Sequence, residues 1–205
     1  MTAEGHMLFS IASLILAKKL ELTTYIVHGN LTYMILAVLF GSLLPDIDHT
    51  SSVIGRLLFF LSFLISKVFR HRGFTHSFLA WIILTVFCYN LLYFDVNIDM
   101  DLLQSFLLGY ISHEIADMLT PRGVQFFWPL QKHFCLSIFY GKTNKHKERF
   151  IFIILIICAY IIPLNYKINY FFQIKDLIRY INTTVYIESI KMIKILCDII
   201  NYVKI

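Results

Sequence analysis

The stretch Leu43-Leu44-Pro45-Asp46-Ile47-Asp48-His49 ends an apolar run with two carboxylates and an imidazole. Ionisable groups at the edge of such a run are costly, and a bound cation is a common compensation. Pro45 stops the helix that precedes it, so the carboxylates are expected on a turn where both point one way. Read alone, Asp46 and Asp48 would also suit the capping of a polar helix end. Histidines elsewhere in the chain decide for metal ligation.

Composition sets the environment. The 205 residues are 58% hydrophobic and 15% charged, with a mean hydropathy of +0.70. Soluble chains average about 45–50% apolar and about 25% charged. The chain is therefore read as a membrane protein with one embedded unit, 1–165, and a tail, 166–205. The four cysteines are scattered without CxxC spacing, which argues against a disulfide framework or a zinc ribbon. Glu4 precedes the first apolar run, no basic leader precedes it, and no cleaved signal peptide is expected. The net charge of +5 suits an anionic membrane surface and gives no reason to expect nucleic acid.

Six apolar runs follow in order: Met7–Ala17, Leu31–Leu44, Leu57–Val68, Phe78–Phe94, Leu102–Ile111 and Phe150–Leu164. Each is shorter than the roughly 20 residues of a full crossing and needs its semi-polar flanks. The fold class is all-α: a polytopic transmembrane helical bundle with a polar site at the helix ends. If Leu57–Val68 lies in the interface or re-enters, every polar cluster falls on one side. Ser62 and Ser66 break that run and favour this choice. The same side then holds Arg56, Lys67, Arg70, Arg72, Arg122, Lys132, Lys142, Lys145, Lys147 and Arg149. The other side holds Lys18 and Lys19 with Asp95, Asp99 and Asp101. Positive charge inside makes the site cytoplasmic and the protein multi-pass in the plasma (inner) membrane. From Tyr170 to Ile205 the apolar spacing predicts an amphipathic helix.

Two further segments carry chemistry. In His71-Arg72-Gly73-Phe74-Thr75-His76-Ser77, Gly73 allows a tight turn and Thr75 or Ser77 can cap the next helix. Arg72 is a candidate phosphate clamp, since a guanidinium meets phosphate in bidentate fashion. In His113-Glu114-Ile115-Ala116-Asp117, His113 and Asp117 are four apart and share a helix face, with Glu114 turned away. The string approaches the HExxH of zinc proteases but has Asp117 at the second ligand position. Arg122 offers another anion contact. His6 opens the first run on the same side. His28, His133 and His146 fall outside the expected site.

Together these segments resemble the YdjM-like membrane-bound metal-dependent hydrolases of bacteria and archaea. The likeness rests on His6, on Gly41 through His49, on His71 through Ser77 and on Gly109 through Gly123, roughly the first 130 residues. It implies metal-dependent hydrolysis at an inner membrane and leaves the substrate open. A fainter likeness, of ligand order only, is to the all-α zinc phospholipase C and P1-type nuclease group.

The expectation is an integral-membrane hydrolase acting on a phosphate ester or phospholipid through metal-activated water. His6, Asp46, Asp48, His49, His71, His76, His113 and Asp117 are the candidate ligands for zinc or another divalent metal, with two or more ions expected. Asp46, Asp48, Arg72 and Glu114 are the catalytic candidates. Membrane lipids and a small anionic or lipid substrate are the expected partners. The alternatives are a divalent-cation transporter and a non-catalytic membrane protein.

Overall fold

A computed structural model of the chain describes residues 2–69, 72–94, 96–136, 145–161 and 183. The described chain is helical, and its one β feature is an isolated antiparallel bridge between Val124 and Phe134. The helices are α1 (Ala3–Lys19), α2 (Thr24–His28), α3 (Leu31–Leu43), α4 (Val53–Leu57), α5 (Phe59–Val68), α6 (Phe78–Tyr93), α7 (Met100–Met118) and α8 (Lys145–Ile161). Two 3-10 turns, Leu44–Asp48 and Phe74–His76, carry Asp46, Asp48, Thr75 and His76.

Capping explains where the helices begin. The Thr2 hydroxyl accepts from the Gly5 N–H at 3.1 Å and opens α1. Asn30 accepts from Thr32 N–H at 3.0 Å and opens α3. Ser77 accepts from Ala80 N–H at 3.2 Å and opens α6, leaving Thr75 for another task. Pro45 has no N–H to donate and sits in the first turn of the 3-10 segment that follows α3. Helix α2 was not anticipated, since its five residues are too few to show a period.

Helices α3 and α7 cross at two glycines. A Cβ on Gly41 would stand 2.0 Å from the Phe106 carbonyl oxygen, and one on Gly109 would stand 2.2 Å from that of Val38. Each glycine makes room for the opposite backbone, as small residues do where membrane helices touch. One apolar cluster joins Leu14 and Ala17 of α1, Ile26 of α2, and Met34 and Val38 of α3. Another joins Tyr89 of α6 to Leu103 and Leu107 of α7. α8 lies against α1, where buried Phe152 meets Phe9 edge-on at 5.7 Å.

The outer surface is apolar. Leu36 on α3, Phe87 on α6 and Ile157 on α8 are all exposed. Among the described residues one stretch, Leu31–Asp48, is long and apolar enough to cross a membrane by itself. Phe59–Val68, Phe78–Leu92 and Arg149–Ile161 are apolar but shorter. Ten residues of α5 span about 15 Å, half of a hydrocarbon core of about 30 Å. The amphipathic helix expected over Tyr170–Ile205 lies outside the described residues, apart from Thr183.

Candidate metal centre

The polar residues come from four places in the chain. α1 brings His6 in its first turns, where the ring stacks on His113 with centroids 3.6 Å apart and planes 7° apart. The turn after α3 brings Asp46 and Asp48. The turn before α6 brings His76. The last turns of α7 bring His113, Glu114 and Asp117. His6, His76, His113, Glu114, Asp48 and Asp117 are all buried.

Four atoms form the inner ring. His76 Nε2 lies 3.4 Å from Asp46 Oδ1 and 3.9 Å from Asp117 Oδ2. His113 Nε2 lies 3.8 Å from Asp46 Oδ1 and 3.8 Å from Asp117 Oδ2. A tetrahedron around a zinc-sized ion with bonds of about 2.0 Å has edges of about 3.3 Å, so the ring is slightly open for one such ion. His6, His113 and Asp117 form one group of possible ligands and Asp46, His76 and His113 another, each with ligand atoms within 4.8 Å. His113 belongs to both, so the groups are parts of one centre.

The surroundings aim the ligands. His113 Nδ1 lies 2.6 Å from the Ser42 carbonyl, which can only accept, so Nδ1 carries the proton and Nε2 offers a lone pair. His113 Nε2 is buried and has no hydrogen-bond partner. A buried acceptor left in this state is what a cation would satisfy.

His76 is bracketed by the two aspartates of one turn. Asp46 faces its Nε2, and Asp48 Oδ2 lies 3.5 Å from its Nδ1. Asp48 Oδ2 also accepts from the Thr75 hydroxyl at 2.8 Å and from the Arg72 N–H at 3.1 Å. A 3-10 turn advances about 120° per residue. Residues two apart therefore diverge, which corrects the expectation that both carboxylates point one way. Asp48 belongs to neither ligand group among the described residues; it orients His76. Burial by itself depresses the His76 imidazole, but hydrogen bonds to Asp46 and Asp48 hold it well above its ordinary range.

His49 also departs from the expected ligand set. It ends the 3-10 turn with extended backbone and is exposed, with the Ser51 hydroxyl 2.8 Å from its Nδ1. It lines the cleft and joins neither ligand group. His71 lies outside the described residues. Glu114 is fully buried, and neither carboxylate oxygen has a hydrogen-bond partner. It too stands outside both ligand groups.

Arg72 ties the centre together. Its Nη2 lies 3.1 Å from Asp117 Oδ1, and its Nη1 donates to the Gly123 carbonyl at 3.4 Å. The tight turn expected at Gly73 falls partly on Arg72, whose φ is +63°. Its N–H bond to Asp48 helps to hold that strained backbone. A cleft of about 330 Å³ opens on this side, with His6, Asp46, His49, Arg56, Arg72 and Arg122 among its walls. Sequence reading missed Ser42, which acts through its carbonyl and leaves no side-chain signal. It also missed Arg56 at the cleft, and Thr75, whose link to Asp48 depends on the fold.

The model of the family described as "YdjM inner membrane protein" matches residues 1–174. The chain belongs to the YdjM family. It is 42% identical over 163 residues to the Inner membrane protein YdjM of Escherichia coli K12, covering 80% of this chain and 83% of that one. The YdjM of Shigella flexneri matches to the same extent. The Bacillus subtilis protein YvsG, described as uncharacterized, is 37% identical over 111 residues, 54% of this chain and 66% of its own. No solved structure matches. All residues of the centre lie inside the part that the YdjM model covers.

Proposed function

We propose that this YdjM-family protein is a multi-pass inner-membrane hydrolase that acts on phosphate esters with a divalent metal, zinc being the ion the ligand types favour. The supporting observation is the ring of Asp46 with the buried His76, His113 and Asp117, with His113 Nε2 aimed inward and unpaired. Structural zinc sites are closed, whereas catalytic ones keep a position open to substrate. Here the ring borders a cleft through Asp46, and His6 beside it lines the same cleft.

An ion held there would polarise a phosphoryl oxygen and lower the pKa of a nearby water. The chain supplies the rest. Asp46 is the ring carboxylate that reaches the cleft, its side chain a quarter exposed while that of Asp117 is 1% exposed. It is the group best placed to accept a proton from an attacking water. Arg72 is fixed by Asp117 and Gly123 at the cleft wall and meets an anionic ester. Arg122 lines the same cleft. Relatives named as inner membrane proteins and the apolar outer surface support the location. The excess of Lys and Arg on the side of the centre supports a cytoplasmic face.

The test is metal content together with turnover. Purified protein should hold about one transition metal per chain and release phosphate or alcohol from a phosphate ester. Metal content well below that, with no gain on adding zinc, overturns the reading.

Divalent-cation transport is the second reading. The observation that favours it is Glu114, a buried carboxylate without a partner next to His113. Zinc uptake into proteoliposomes that is lost in Asp46→Ala, with no ester hydrolysis, would decide for it.

A further inference from the structure

Helices α4 and α5 stand beside the cleft, and among the described residues little protein covers them. Val53, Ile54 and Arg56 of α4 line the cleft. α5 packs on α4 and on the 3-10 turn that carries Asp46. Among the residues of α5 only Ser62 is buried. Phe60 and Val68 are 76% and 73% exposed, Phe59, Leu61, Phe63 and Leu64 are exposed as well, and Leu57 at the end of α4 is 71% exposed. An apolar surface of this extent on a short helix needs a non-aqueous neighbour. At about 15 Å the helix is too short to span and fits the boundary between head groups and chains. Lys67, with its ammonium 4.3 Å from the Phe63 ring centroid, gives α5 a cationic end.

The charge on the cleft matches that placement. Arg56 and Arg122 are exposed at its walls. Among the described residues neither has a carboxylate partner. Asp46 is the acidic residue in the cleft lining, and it belongs to the metal ring. The mouth is therefore cationic, the ligands lie within, and an apolar helix adjoins one wall. A terminal phosphate carries close to two negative charges at neutral pH and a capped phosphodiester carries one, so two unpaired guanidiniums favour the terminal phosphate.

We propose that the cleft takes the terminal phosphate head of a membrane lipid whose chains lie along α4 and α5, with Arg56 and Arg122 as head-group contacts. The lipid reaches the centre sideways from the bilayer. This rests on the hydrolase reading for the fate of the head group, but not for its binding.

The test uses the full chain, metal-free, in neutral detergent, with binding followed by native mass spectrometry. Three probes separate head from chain: dioleoyl phosphatidic acid, dioleoyl phosphatidylcholine and dihexanoyl phosphatidic acid. Dioleoyl phosphatidic acid should bind at least tenfold more tightly than either of the others. Arg56→Gln with Arg122→Gln should cut the preference for phosphatidic acid over phosphatidylcholine at least fivefold. Phe60→Glu, at an exposed position outside the buried packing of α5, should cut the preference for long chains at least fivefold. Equal binding of the two dioleoyl lipids, equal binding of the long and short phosphatidic acids, or variants that leave both preferences intact would overturn the proposal. Zinc-loaded protein separates the two readings. Tight dioleoyl phosphatidic acid binding without phosphate release sinks the hydrolase reading alone. Phosphate release at equal rates from long and short phosphatidic acid sinks the lipid proposal alone.

Discussion

His113 Nδ1 lies 2.6 Å from the carbonyl oxygen of Ser42, a contact between the end of α3 and the last turns of α7. It fixes the ring so that Nε2 faces Asp46 and Asp117. His113→Ala removes the ligand common to both groups. Metal content by inductively coupled plasma mass spectrometry is expected to fall from about one per chain to background. A variant that keeps its metal would exclude His113 as a ligand.

Asp48 acts through His76, so its loss should be milder. Asp48→Asn keeps the shape and an acceptor oxygen but loses the charge that orients the imidazole. Partners of this kind typically contribute 10–100-fold in metal affinity. A competitive chelator titration should show a weakening in that range, with the metal still binding at saturation. Total loss would make Asp48 a ligand in its own right.

The state of His76 gives a pH prediction. Its imidazole is held above the ordinary range by Asp46 and Asp48, so in the metal-free protein it carries a proton at neutral pH. Metal binding at Nε2 must displace that proton. Titration calorimetry in buffers of different ionisation enthalpy should report at least about one proton released per ion. Affinity should fall as pH drops, because protons compete more strongly. No proton release at pH 7 would contradict the bracketed geometry.

Gly109 permits the crossing of α3 and α7. Gly109→Ala puts a Cβ 2.2 Å from the Val38 carbonyl, on backbone that cannot swing aside. Overpacking costs about 1–3 kcal/mol, which for a domain of this size lowers Tm by roughly 2–12 °C. His113, one turn further along α7, should shift from Ser42. Thermal unfolding and metal affinity should therefore decline together. An unchanged Tm would mean that the helices separate more easily than their packing implies.

Glu114 offers a contrast. Its buried carboxyl group has no hydrogen-bond partner, and a buried polar group left unsatisfied is costly. Glu114→Gln should leave metal content intact and keep or raise Tm. Turnover should fall only modestly, about fivefold or less. Abolished turnover with full metal content would instead make Glu114 the general base of a protease-like mechanism.

Much of the centre was legible because ligand types leave marks on a sequence. His6, Asp46, His76, His113 and Asp117 stand out against apolar runs, and the shortness of Leu57–Val68 reappears in the ten residues of α5. What stayed hidden was direction. Two aspartates separated by one residue look like a pair, yet a 3-10 turn sends Asp46 to the cleft and Asp48 inward. His49 reads like its neighbours but is turned outward by extended backbone. Backbone partners, such as the carbonyls of Ser42 and Gly123, have no residue-type signal. The turn at Arg72 was masked by Gly73, the residue more often found with unusual backbone angles.

Asp117 Oδ1 meets both His6 Nε2, at 3.5 Å, and Arg72 Nη2, at 3.1 Å. One oxygen thus joins the beginning, middle and later part of the polypeptide. During synthesis the first helix and the arginine turn must wait, incomplete, until α7 has emerged. The candidate centre therefore closes late in biogenesis, and a chain arrested before Asp117 would leave His6 and Arg72 without the carboxylate they share.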